Sequence, residues 1–317
     1  MTVDVIAIVG PTGTGKSDLG VRLAERINGE VINADSMQVY RGMDIGTAKL
    51  TIAERRGVPH HLLDIWDVRR AANVAEYQRL ARAEVDRITT RGRVPILVGG
   101  SGLYLRAVID DLRFPGTDPQ VRLRLQSECE QLGPAAMHAR LVELDPVAAA
   151  AILPTNARRV VRALEVVELS GGPYLATLPV QRPVLAALTI GLNLPRDVLN
   201  HRLADRVDAM FRAGLVDEVA ALDGLVGSPT ASRALGYRQV LAMLAGDGNL
   251  EQAVRDTVIA TRKFARRQLS WFRRDQTIRW HDASDPELLM STLALAATVG
   301  VNIDPQRPSA RRAPIDD

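Results

Sequence analysis

The chain has 317 residues, 46% of them hydrophobic, 24% charged and 4% aromatic, with a formal net charge of +3. That balance excludes whole-chain disorder and collagen-like order, and leaves enough apolar mass for one large domain and a smaller one. No run of about 18 apolar residues occurs and Asp4 sits too early for a charged leader, so neither a membrane span nor a signal peptide is expected, and a cytoplasmic location is.

The first predicted element is a strand. Val3 to Val9 form a nearly continuous apolar run, followed at once by Gly10, Pro11, Thr12, Gly13, Thr14, Gly15, Lys16 and Ser17, after which Leu19, Leu23 and Ile27 recur at helical spacing. Strand, glycine loop and helix in this order make GxxxxGK[ST] a phosphate-binding P-loop. Gly13 and Gly15 let successive amides curl inward, and the helix N-terminus adds positive potential. In such a loop Lys16 meets the terminal phosphate and Ser17 holds Mg²⁺. Lys16 is one of only three lysines, with Lys49 and Lys263, in a chain that carries 37 arginines. A lysine here is therefore more informative than an arginine.

A second strand, Glu30 to Asp35, ends in an acid where α/β sheets place their ligands, and Ser36, Met37 and Gln38 follow. A carboxylate beside a bound diphosphate is repelled by it, so Asp35 is offset by Mg²⁺, accepts a proton, or caps a turn. His60 and His61 precede an apolar strand, with no third ligand at a metal-site spacing, and read as packing or hydrogen-bonding residues. The third strand, Val94 to Val98, ends in Gly99-Gly100-Ser101-Gly102 and lacks the Asp that supports Mg²⁺ in NTPases and kinases; Asp64 is a candidate substitute. ATP hydrolysis is not the expected activity.

From Phe114 to Pro183 no alternating strand is found. Asp118-Pro119 and Asp145-Pro146 have the form of helix starts and Gly171-Gly172 that of a stop, which predicts an inserted helical domain over 114–183. It contains the single cysteine, Cys129, which allows no internal disulfide. After Asn156, Val160, Leu164 and Val167 form an apolar stripe, with Arg158 and Arg162 on another face that solvent alone could cover. Val184 to Leu192 reads as a return strand, followed by helices on which Arg202 and Arg206 could reach diphosphate or RNA phosphate. Between Arg262 and Arg274 stand six basic residues and no acid until Asp275, with Trp271 and Phe272 either stacking on a base or anchoring the helix. A loose tail is expected over 301–317.

Several of these blocks resemble one family. Gly10 to Ser17, Ile32 to Lys49, Val58 to Ile65, Val98 to Tyr104, Asn156 to Glu165, Ala234 to Gln239 and Arg266 to Arg273 are similar to blocks of the tRNA dimethylallyltransferases, in the expected order. With the predicted elements, the resemblance implies an α/β fold: a P-loop NTPase-like parallel sheet core over 1–113 and 184–300, the helical insertion, and C-terminal helices. It implies transfer of a dimethylallyl group from dimethylallyl diphosphate to N6 of the adenosine 3′ of the anticodon, in tRNAs reading codons that begin with U. The loop then holds a departing diphosphate, which accounts for the missing acid. Mg²⁺ is the implied cofactor and a monomer the expected state.

The resemblance also assigns residues. Asp35 is the general base, and Ser101 touches the target nucleotide where the family usually has Thr. Contacts to the anticodon stem-loop fall on Asp35, Ser36, Met37, Gln38 and Ser101, on Arg122, Arg158, Arg159 and Arg162, on Arg233, Gly236, Tyr237 and Arg238, and on Arg266, Arg267, Gln268, Trp271 and Arg273. The rival readings are a relative that prenylates free AMP or ADP, a small-metabolite P-loop kinase, and an RNA-binding protein switched by nucleotide. The insertion and the cationic stripe disfavour the first, since a free nucleotide needs neither.

Overall fold

The structure is a computed structural model that describes residues 3–174 and 181–301. Its centre is a parallel sheet of six strands: β1 (Val5–Val9), β2 (Gly29–Asn33), β3 (His60–His61), β4 (Val94–Val98), β5 (Ala187–Asn193) and β6 (Arg279–Asp282), in the order β3-β2-β4-β1-β5-β6. A parallel sheet is covered on both faces, which is why β1 reads as unbroken apolar sequence. Its side chains alternate between two cores: Val5, Ala7 and Val9 enter one, Ile6 and Ile8 the other.

The helices around this sheet follow from the same pattern. On one face α1 (Lys16–Ile27) and α12 (Leu288–Thr298) cover Ile6, Ile8, Ile96 and Ile190. On the other, α2 (Val74–Thr90) and α3 (Gly102–Ile109) bury Tyr77, Ala81, Val85, Leu105 and Val108. The helix after β1 and the helix after β4 thus leave toward opposite faces, and between two adjacent strands that do so a crevice opens at their carboxyl ends.

By contacts the chain divides into Met1–Asp110 with Pro183–Asp317, and Asp111–Arg182. The second unit, by itself, is helical: α4 (Pro119–Leu132), α5 (Pro134–Leu144), α6 (Pro146–Ala150) and α7 (Ala157–Ser170) pack around Leu125, Met137, Leu141, Val160 and Leu164. The expected caps are in place. The Asp118 side chain accepts from the amides of Gln120 and Val121, that of Asp145 from Ala148, and Gly171 takes the left-handed conformation that ends α7.

Back in the first unit, β5 is followed by α8 (Arg196–Arg212), α9 (Leu215–Ala221), α10 (Tyr237–Leu244) and α11 (Leu250–Phe272). Two expectations change here. The sequence does not predict β6: Arg-Trp-His-Asp is too short and too polar to read as a strand, and it pairs only as an edge beside β5. His60 and His61 do not precede a strand but form one, holding the opposite edge through two backbone pairings with Val31 and Ile32. Residues 302–317 of the expected tail lie outside the described residues.

Candidate functional site

The glycine loop occupies the end of β1. Gly10 has φ +135°, and a Cβ there would stand 2.4 Å from the Leu192 carbonyl oxygen, so only glycine lets the loop pass β5. Gly15 sits at φ +81° directly before Lys16 opens α1, the backbone turn that aims the first amides of the helix at an anion. The Thr14 hydroxyl and the Lys16 ammonium both donate to the Pro11 carbonyl, at 2.9 and 2.6 Å.

Three charged groups converge on this loop. Burial, then the Arg206 guanidinium, presses the Lys16 ammonium down to about 7, and the Asp35 carboxylate pulls it partly back. Arg206 is itself lowered by burial and raised by Asp35, and its Nη1 lies 3.5 Å from the Thr12 hydroxyl. The carboxylate at the end of the second strand therefore sits in the field of both cations of the loop.

Asp35 is held there by its neighbours. Asn33 Oδ1 accepts the Asp35 amide at 2.9 Å, while Asn33 Nδ2 donates to the Asp35 and Leu62 carbonyls. The Tyr77 hydroxyl donates to the Asn33 carbonyl at 2.8 Å. Burial pushes the Tyr77 phenol well up, so it stays a donor at any physiological pH. One Asp35 oxygen accepts the Met37 amide at 2.8 Å; the other has no partner among the described residues.

The turn after β4 closes on the same place. A Cβ on Gly99 would meet the Ala34 carbonyl oxygen at 2.2 Å, and one on Gly102 the Trp271 indole nitrogen at 2.0 Å. Glycine at both positions lets β2, this turn and α11 approach one another, and Ser101 is placed in between. Its hydroxyl accepts from the Ser36 amide at 3.2 Å and lies 3.3 Å from the Ser36 hydroxyl. Tyr104 packs its ring 4.2 Å from that of Tyr77. The site thus joins an anion cradle, a carboxylate and a hydroxyl at the carboxyl ends of β1, β2 and β4.

Comparison with known proteins gives the family. A family model described as IPP transferase matches residues 38–275. The chain belongs to the IPP transferase family. It is 60% identical over 298 residues to a tRNA dimethylallyltransferase of Thermobifida fusca, covering 92% of this chain and 93% of that one. It is 63% identical over 278 residues to one of Streptomyces coelicolor, covering 87% and 89%. Among solved structures, a tRNA isopentenylpyrophosphate transferase of Bacillus halodurans is similar at TM-score 0.68 and 43% identity, over 93% of this chain and 96% of that one. A eukaryotic dimethylallyltransferase described as acting on tRNA is similar at TM-score 0.77 and 29% identity, over 96% and 82%.

Of the residues that the family resemblance would give to RNA, the structure leaves some open and engages others. Arg158, Arg233, Arg238, Arg266, Arg267 and Arg273 are exposed, Arg267 with its guanidinium 5.8 Å from the Phe264 ring. Gln38 donates to the carbonyls of Thr47 and Ala48. Arg122 and Arg162 pair with Glu165, which is fully buried, and Arg162 also donates to the carbonyls of Pro115 and Gly116. Tyr237 is buried with its hydroxyl on Glu218, whose carboxylate also takes the amides of Asp44, Ile45 and Gly46. Gln268 is buried as well, and Trp271 packs on the core beside Gly102. In this state these side chains build the protein.

Asp64, the candidate metal support, instead pairs with Lys49 at 2.5 Å, and Lys49 also bonds Asp44. His61 bonds the buried Glu30 at 2.6 Å, where Arg91 and Arg93 join it, far along β2 from the loop. Of the two arginines left open, Arg206 is the one at the loop and Arg202 is exposed on α8. The sequence does not point to Glu218, since nothing in its spacing marks it.

Proposed function

We propose that this enzyme, in the cytoplasm, transfers the dimethylallyl group of dimethylallyl diphosphate to N6 of the adenosine 3′ of the anticodon, in tRNAs reading codons that begin with U, releasing diphosphate. The observation that carries the reading is Asp35, a carboxylate with one oxygen unpartnered among the described residues, set among the cations of an anion cradle. A kinase-type acid at the end of β4 is replaced by Gly99-Gly100-Ser101.

The chemistry follows from where charge develops. As the allylic C–O bond breaks, negative charge accumulates on the diphosphate, and the loop amides, Lys16 and Arg206 meet it. The five-carbon fragment becomes cationic and must be kept from water; Trp271, half-buried against Gly102, supplies apolar surface next to the serine turn. The N6 lone pair is delocalised into the purine, so it forms the new C–N bond only while losing a proton, which Asp35 accepts. Ser101, tied to Ser36, the residue that follows Asp35, presents its hydroxyl to orient the base.

Mg²⁺ fits this site as an ion carried by the substrate. Among the described residues the Ser17 hydroxyl has no hydrogen-bond partner and no group of three His, Cys, Asp or Glu could hold a metal, so diphosphate and water oxygens would complete the shell. When bound, the ion neutralises charge on the leaving group.

The cations of α11 suit a polyanion, and among the described residues no helix is long and apolar enough to cross a membrane. Incubation with labelled dimethylallyl diphosphate, Mg²⁺ and unmodified tRNA tests the reading. Label is expected on N6 of one adenosine, undiminished by excess AMP. Absence of label on RNA, or its appearance on AMP instead, overturns it.

A further inference from the structure

One side chain connects the diphosphate loop, the serine turn and the arginine-bearing helix. Gln268 projects inward from α11 and is 6% exposed. Its Oε1 accepts the Thr12 amide at 2.9 Å and its Nε2 donates to the Gly100 carbonyl at 2.9 Å. Both ends of the amide are used, and each backbone group offers only one polarity: an N–H that needs an acceptor and a C=O that needs a donor. Among the side chains, a primary amide of this length satisfies both at once. Gly100 belongs to the same device, because a Cβ there would stand 2.2 Å from Nε2.

The Thr12 amide belongs to the loop that curls around the leaving group, and Gly100 directly precedes Ser101. From these contacts we infer that Gln268 is a positioning residue for group transfer and not an RNA contact: it locks the diphosphate loop and the serine turn into one register, and it carries that register to α11. Arg266 and Arg267, its neighbours on that helix, face solvent, so RNA seated on them bears on the same helix that holds the loop. The inference rests on the proposed transfer reaction.

Two substitutions test it, each with pyrophosphate binding and tRNA binding measured separately by calorimetry. Gln268→Met fills the space and removes both bonds; Gln268→Glu keeps the acceptor for Thr12 but turns a second carboxylate oxygen toward the Gly100 carbonyl. Losing such paired buried bonds is expected to weaken pyrophosphate binding by about ten- to a hundredfold, with tRNA binding nearly unchanged. Because a protonated glutamic acid restores the missing donor, transfer by Gln268→Glu should recover relative to the parent as pH falls. A general loss of packing would not produce that recovery.

Weakened tRNA binding with pyrophosphate affinity intact would overturn the inference in favour of an RNA contact, as would a Gln268→Glu pH profile parallel to the parent's. Should Gln268→Met not fold, Gln268→Glu alone decides between these results. Failure of the parent protein to label tRNA would instead strike at the transfer reaction itself.

Discussion

Arg162 on α7 and Arg266 on α11 stand in different surroundings although the sequence writes them alike. On α7, Arg162 reaches the buried Glu165 at 2.8 Å together with Arg122 at 2.6 Å, and closes on two backbone carbonyls. On α11 and just past its end, Arg266 and Arg273 are exposed, and the sequence holds no acid between Arg262 and Asp275. A buried counter-charge turns an arginine into part of the fold, whereas its absence leaves a cation for an external phosphate. In a chain with 37 arginines that distinction cannot come from composition.

The contrast is broken or sharpened by substitution. Replacing Arg266, Arg267 and Arg273 together with Ala should weaken tRNA binding by about tenfold or more and lower the slope of log affinity against log salt by about two to three, with unfolding unchanged. Equal loss at all salt concentrations would contradict a phosphate contact. Glu165→Ala should do the reverse, destabilising the helical unit by about 1–3 kcal/mol, read as faster amide exchange in α4 and α7, and affecting tRNA only through that unfolding. If exchange in those helices is unaltered while tRNA affinity falls, Arg122 and Arg162 are RNA contacts after all.

A smaller effect separates the loop from both helices. With Lys16 pressed down to about 7, it is largely neutral at pH 8 in the empty protein, and a bound diphosphate draws a proton onto it. Pyrophosphate titrations at pH 8 in buffers of different ionisation enthalpy should therefore report proton uptake that fades toward pH 6. The sign for stability is fixed by the same shift. Between about 7 and the ordinary value of 10.5 the unfolded chain holds this proton and the folded one does not, so the Lys16 contribution makes the empty protein more stable as pH rises through that window. Lys16→Met should abolish both dependences.

How much of this was legible in the sequence depends on distance along the chain. The loop, its strand and its helix are contiguous, so glycine spacing and helical periodicity disclose them, and Asp118 and Asp145 announce their helices through the proline that follows. The Glu165 cluster joins residues 43 positions apart and the Gln268 bond to Thr12 spans 256, and no local pattern encodes either. A partial signal existed for Gln268: it falls at helical spacing from the buried Ala265 and Phe272, which places it on the inner face rather than among the arginines. The indispensability of Gly99 and Gly102 is visible only once Ala34 and Trp271 are seen against them.

In the proposed reaction Asp35 takes the amine proton while the loop beside it holds the leaving group. Single-turnover transfer by Asp35→Asn, with pyrophosphate affinity measured on the same preparation below pH 7, tests it most directly. Transfer should fall by about 10²–10⁴, the span a general base contributes, while pyrophosphate binds as well as before or more tightly for want of the repelling carboxylate. Collapse of pyrophosphate affinity with transfer from the bound complex intact would contradict it.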